Sequence, residues 1–217
     1  MKHTYFFILS IFTFLSCSQV TEEEKQIHNQ KVNSGIISKK EKLERQLEQF
    51  ESAQKMLIKE KAEVAEWKLG RTEKEKHDQL AELDNNLDMA RTYIENTKQV
   101  IKQLDSLHQT FEWQKTPSGV AEKLIEVFQN GKFSKAIYLA DPYHENDTDI
   151  DRISFIAINP KDIASKEAEI FKQSRIISDP VISGDHATIE LLYGINGNRK
   201  EDLKLIKRLD HWYLFSI

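Results

Sequence analysis

Apolar residues along this chain fall into three regimes. Residues 5–15 form an almost continuous apolar run behind Met1-Lys2-His3. Residues 38–113 hold no proline and a single glycine, and their apolar positions recur at three- and four-residue spacing among charges of both signs, the pattern of amphipathic helices. Beyond residue 113 charge density falls, β-branched residues appear and turn signals become frequent. Residues 18–36 show no apolar periodicity and read as a flexible linker.

The middle regime predicts a helical hairpin. Ser38-Lys39-Lys40-Glu41 is a capping-box pattern, in which the serine accepts from the amide three residues on and the glutamate reaches back. Leu43, Leu47, Phe50, Leu57 and Val64 follow in phase, and Leu69-Gly70 supplies a left-handed stop. Thr72-Glu73-Lys74-Glu75 is a second capping box. The second helix has the cleaner heptads: Leu80, Leu83, Leu87, Ala90, Ile94, Thr97, Ile101, Leu104, His108 and Phe111. Folding back about Gly70 sets Val64 near Leu80, Leu57 near Leu87, Phe50 near Ile94 and Leu43 near Ile101. The second helix, about 40 residues and ~60 Å long, is expected to outrun the first, with His108 a structural seam residue in the overhang. The stripe reads as the buried face of one hairpin; a partner helix or self-association is the functional alternative.

The third regime predicts helices and then an antiparallel meander, an α+β order. Thr116-Pro117 opens a helix whose apolar face is Val120, Ala121, Leu124, Ile125 and Phe128, ended by Asn130-Gly131. A short helix over 133–140 and a third from Asn159-Pro160 toward Phe171 come next. Strands are expected over 176–182, 187–195, 203–208 and 212–217, parted by Ser183-Gly184-Asp185, Asn196-Gly197-Asn198 and Leu209-Asp210. Alternation puts Ala187, Ile189, Leu191 and Tyr193 on one face, with Leu203, Leu205, Trp212 and Leu214 matching them.

Composition then narrows the chemistry. The chain has 217 residues, 30% of them charged, and a net charge of -4, which offers no basic footprint for nucleic acid. One cysteine, Cys17, excludes an intramolecular disulfide framework and a zinc cluster. Neither a dinucleotide nor a phosphate-binding glycine motif occurs among the seven glycines. His144-Glu145-Asn146-Asp147-Thr148-Asp149-Ile150-Asp151 alternates aspartates like a calcium loop. It carries Arg152 and Ile158 where that loop needs glycine and glutamate, so it reads as a solvated acidic loop. No metal or cofactor is expected.

The apolar run is about half the length of a spanning helix and reads as a signal-peptide core over residues 1–16. Phe14-Leu15-Ser16-Cys17 after it resembles the lipobox of bacterial lipoproteins. That resemblance implies cleavage before Cys17, acylation of its thiol, and a protein tethered to a membrane without spanning it. Ser18 is not the aspartate that retains many lipoproteins in an inner membrane. Glu22-Glu23-Glu24 is similar to acidic export signals of some bacteria, although a solvated tether is its simpler reading. The expected location is the cell envelope, at the outer membrane.

Four segments in order carry a second resemblance: Thr116-Pro117-Ser118-Gly119-Val120-Ala121-Glu122-Lys123, Asn130-Gly131-Lys132-Phe133-Ser134-Lys135-Ala136, Gly184-Asp185-His186-Ala187-Thr188-Ile189, and Leu205-Ile206-Lys207-Arg208-Leu209-Asp210-His211-Trp212-Tyr213-Leu214. Together they resemble the nuclear-transport-factor-2-like cone, in particular its small bacterial lipoprotein domains of unknown function. The likeness implies a long helix across a curved sheet, with Phe128, Tyr193 and Trp212 as candidate pocket lining; a filled core is the plainer reading of those rings. Enzymes of that superfamily set Asp, His or Tyr in the cone, but no catalytic set aligns onto this chain. The expected organisation is therefore a signal peptide over 1–16, a lipid-anchored linker over 17–37, a coiled-coil hairpin over 38–113 and a cone-shaped α+β domain over 114–217. Its expected role is binding or scaffolding without catalysis, with an envelope protein or a second copy as partner; the alternative is a carrier of a small apolar ligand.

Overall fold

The computed structural model describes residues 20–67, 72–145, 156–159 and 161–216. The signal segment, Cys17 and the turn at Gly70 lie outside these residues. Two long antiparallel helices lead into a mixed α+β domain, the class expected from the order of patterns. Helix α1 spans Glu22–Ala65 and α2 spans Glu73–Leu104.

The start of α1 corrects the linker expectation from residue 22 to residue 37. The capping box in use is Thr21 with Glu24: Thr21 Oγ1 accepts from Glu24 N at 3.2 Å, and Glu24 Oε2 accepts from Thr21 N at 2.7 Å. Residues 22–36 are therefore helical, and Val32, Gly35 and Ile36 are buried. Their stripe continues backward in phase from Leu43 through the buried Lys39, so the periodicity was present but interrupted by a lysine and a glycine. Ser38 sits exposed inside the helix.

Helix α2 starts at its expected cap, where Thr72 and Glu75 form a reciprocal box. It ends at Leu104, after 32 residues instead of about 40. Ser106 turns its hydroxyl onto the Gln103 carbonyl at 2.6 Å, and the turn that follows tucks Leu107 back against the helix pair. The expected overhang is thus reversed: α1, with 44 residues, is the longer partner, about 66 Å at 1.5 Å per residue. Interhelical pairing runs close to the expected register. Phe50 stacks on Tyr93 at 4.9 Å, Lys40 pairs with Asp105 at 2.5 Å and Glu51 with Lys98 at 2.9 Å; Lys61 pairs with Asp84.

Helix α3, Pro117–Gln129, begins as the sequence indicates, with Thr116 Oγ1 accepting from Gly119 N at 3.1 Å. The short helix at Phe133–Leu139 is a 3-10 helix, and α4 spans Lys161–Ala168 with a 3-10 turn, Glu169–Phe171, behind it. Five strands form one antiparallel sheet: β1 Arg175–Ile176, β2 Val181–Ser183, β3 His186–Tyr193, β4 Arg199–Arg208 and β5 His211–Ser216. The expected strand over 176–182 is two strands, both paired to β3. Proline cannot donate to a ladder, and Pro180 divides them on the sheet edge. The order is β1-β3-β4-β5, with Ile189 opposite Leu203 and Leu205 opposite Leu214.

Two apolar clusters hold the molecule. In the first, Val120, Leu124, Val127 and Phe128 of α3 pack against Ile189, Leu191, Leu203, Leu205, Trp212 and Leu214. The second spans the boundary drawn at residue 113: Val32, Ile36 and Leu43 of α1 and Val100, Leu104 and Leu107 join Ile137 and Ile158. At ~25 cal/mol per Å² of apolar surface this shared cluster fixes the base of the hairpin to the sheet domain. The residues packed on it reach Phe50 in α1.

Candidate functional site: the junction of hairpin and sheet domain

The polar chemistry of the described residues converges beside that second cluster. Ala140 makes a one-residue parallel bridge to Leu214 of β5, which delivers Asp141 to the end of β4. Arg208, the last residue of β4, donates from Nε to Asp141 Oδ1 at 2.9 Å and from Nη2 to Oδ2 at 2.5 Å. Nη2 also donates to Glu145 at 2.7 Å. The Asp141 side chain is fully buried and that of Arg208 is 11% exposed. A bidentate guanidinium suits such a pair because its planar fork matches both carboxylate oxygens.

Tyr143 connects this pair to α1. Its backbone amide donates to Asp141 Oδ1 at 3.1 Å, closing the turn after Pro142. Its hydroxyl meets His28 Nδ1 at 2.7 Å. Arg208 lies 4.3 Å from the centroid of the Tyr143 ring and Lys31 Nζ 5.0 Å from it, both within cation–π range. Lys31 further approaches Glu145 at 3.6 Å. Helix and loop also touch through backbone: a Cβ on Gly35 would stand 2.2 Å from the Pro142 carbonyl oxygen. Glycine is required there by close approach.

Burial and charge tune these groups in opposed directions. Burial lowers the Arg208 pKa, but the hydrogen bonds and charges of Asp141 and Glu145 outweigh it and hold the guanidinium above its ordinary value. The hydrogen bond from Arg208 holds the Glu145 carboxyl below the usual range. Burial raises Tyr143, and raises Tyr213 well beyond the usual phenol range. His28 is lowered by burial first, then by the nearby His108, His211 and Arg208. Both carboxylate oxygens of Asp141 are occupied, so the arrangement clasps a helix to a loop.

Helix α2 adds its own contacts. Tyr93 donates to Asn159 Oδ1 at 3.0 Å, and Asn96 Nδ2 donates to the carbonyls of Ile158 and Asn159 at 3.2 and 3.1 Å. His108 lies in the exposed turn after α2 and meets Asn33 of α1 at 3.1 Å, a crosslink between helices where a seam position was expected. From the acidic loop, Glu145 is paired to Arg208 and Lys31; its aspartates from 147 onward lie outside the described residues.

The expected pocket residues share one apolar cluster. Phe128 and Trp212 are buried in the α3–sheet cluster, at 3% and 5% exposure. Tyr193 packs half-buried on its edge, with Phe171 at 6.3 Å, and its hydroxyl reaches Glu201 at 3.4 Å. Phe128 also borders an open recess of about 290 Å³ with Gly131, Phe133, Ser165, Glu169 and Lys172, outside the expected place. Cys17 lies outside the described residues, and no helix among them is long and apolar enough to cross a membrane.

Sequence reasoning missed the clasp. Asp141 and Arg208 are far apart in the chain, and His28 fell inside the supposed linker. The available signal was the spacing of His28, Val32 and Ile36, which keeps one helical face. Comparison of the chain with protein-family models, with curated proteins and with solved structures finds no match.

Proposed function

We propose that this chain is an envelope lipoprotein, anchored through Cys17, whose work is binding or scaffolding by a rigid two-helix arm. The observation that carries the reading is the fixed base of the hairpin. Val32, Ile36 and Leu43 share a core with Ile137 and Ile158, while the arm beyond Phe50 and Tyr93 pairs with itself. Such a base makes the arm a projection of set direction, and only four residues separate α1 from the proposed lipid site. The outer half of α1 presents the exposed Met56 and Ile58 to an envelope partner. The sheet crossed by α3 supports the cone reading of the domain. The alternative, a carrier of a small apolar ligand, would need a site other than the Phe128 recess, whose lining by Gln129, Asn130, Ser165, Glu169 and Lys172 is largely polar.

Cys17→Ser tests the anchor: fatty-acid labelling and membrane retention are expected to vanish, and normal labelling overturns it. Photo-crosslinkers at positions 56 and 58, compared with position 200 on the sheet, test the arm. Crosslinks to one defined partner from the arm positions alone support the reading. Equal yields from all three, with lipid co-purifying stoichiometrically, favour the carrier.

A further inference from the structure

Helix α1 holds two helix-start signals, and the fold uses the first. Thr21 and Glu24 form the working capping box. Ser38-Lys39-Lys40-Glu41 repeats that pattern inside the helix, three residues after Gly35. The stretch between them is poor helix material: His28, Asn29, Asn33, Ser34 and Gly35 all rank low in helix propensity. Tertiary contacts hold it in place. Val32 and Ile36 are buried, His28 meets Tyr143 at 2.7 Å, Asn33 meets His108 at 3.1 Å, and Gly35 lies on the Pro142 carbonyl. From Leu43 onward α1 is held by α2 instead.

We propose that residues 22–37 are a releasable strap, with Ser38 as the alternative start of α1 when the strap leaves the domain. Unwinding a helix from its N-terminus normally orphans four amides at the new end. In the released state the Ser38 hydroxyl would accept from the amide of Glu41, and the Glu41 carboxylate from the amide of Ser38. Release therefore ends at a defined residue, and α1 from residue 39 stays paired with α2. The contacts from His28 to Ile36 share one docking surface, so they break together and do not fray one turn at a time. Release uncovers the faces of Tyr143, Ile137 and Leu107. It also turns the strap into a tether of up to ~3.3 Å per residue. If Cys17 is the anchor, that length sets how far the domain stands from the membrane; this consequence rests on the proposed anchoring, whereas the strap does not.

Hydrogen exchange on the full chain in detergent micelles, corrected for intrinsic rates, tests the strap. The amides of 22–37 are expected to exchange as one unit, at least tenfold faster than those of 44–65, with the step between residues 38 and 42. Ser38→Ala removes the alternative cap and is expected to slow strap exchange about fivefold more than Ser34→Ala, the worth of a serine cap. Ser34 and Ser38 are both exposed, so helix propensity changes equally in the two variants. A graded increase from Thr21 without a step, protection equal to that of 44–65, or equal effects of the two substitutions each overturn the proposal. Because none of these readouts involves lipid, failure of the Cys17 assignment is read separately.

Discussion

Replacing Arg208 by methionine tests the clasp most directly. Methionine retains an aliphatic stem beside the Tyr143 ring but removes both donors to Asp141, leaving a carboxylate with no exposure and, among the described residues, only the Tyr143 amide at 3.1 Å. Breaking one side of a buried pair costs about 3–5 kcal/mol, because the remaining charge stays desolvated. The Glu145 contact adds little, since that carboxylate is 46% exposed and solvent screens it. For a chain of this length about 2–4 °C accompanies each kcal/mol, so the thermal midpoint should fall by roughly 6–20 °C. Trp113 and Trp212 fluorescence in a Trp67→Phe background follows the sheet domain without signal from the arm. Adding Asp141→Asn removes the orphaned charge and should recover at least half of the loss. A change below ~1 kcal/mol for Arg208→Met, or a double variant as unstable as the single one, would refute the reasoning that the buried charge governs the cost.

Further outcomes follow from the same structure. Gly35→Ala should raise helicity in a peptide of residues 22–65, by up to ~1 kcal/mol, yet destabilise the protein by about 1–3 kcal/mol, opposite signs that circular dichroism of each would expose. His28 and His211 are both lowered by burial; the unfolded chain then binds protons first, and stability should fall as pH drops below about 6.5. Tyr143 and Tyr213 are raised, so the unfolded chain ionises first on the alkaline side and stability should fall again above about pH 10; denaturant midpoints across pH 5–11 check both limbs. Trp212→Ala should cost about 3–5 kcal/mol if the ring fills the core, and an unchanged midpoint in urea would mean that it lines open space. Leu209 turns at φ +52° in the β4–β5 hairpin, so Leu209→Gly should stabilise by ~1 kcal/mol, read as a raised thermal midpoint.

How much of this was legible depended on the range of the interaction. The start of α2, the α3 cap and the alternation of β3 to β5 are local, and residues such as Thr72, Pro117 and Ile189 announce them. Pro180 announced its break as well, but the apolar pairs Ile176-Ile177 and Val181-Ile182 on either side hid it. The helical state of 22–36 was not legible, because polar composition argued against it and docking against Ile137 and Pro142 decided it. For the same reason Ser38 looked like the first cap: the signal is genuine, and tertiary contact overrides it. The Asp141–Arg208 pair joins a loop to a strand end across the chain, and no local pattern encodes such a meeting. That Phe128 and Trp212 point inward could be read; whether they leave a void depends on packing volume, which periodicity does not carry.

The unbroken backbone of α1 from Thr21 to Ala65 has a mechanical consequence. Its docked and projecting halves, which meet near Leu43, are each about 33 Å long at 1.5 Å per residue, so the load arm and the held arm of the rod are equal. A sideways pull at the tip loads the opposite end with a force of the opposite sense, which its docking contacts resist. That end is where His28 meets Tyr143 and Gly35 rides on Pro142. Traction on the arm is thereby converted into torque on the base, and the weakest helical turn of the rod lies on the side that receives it.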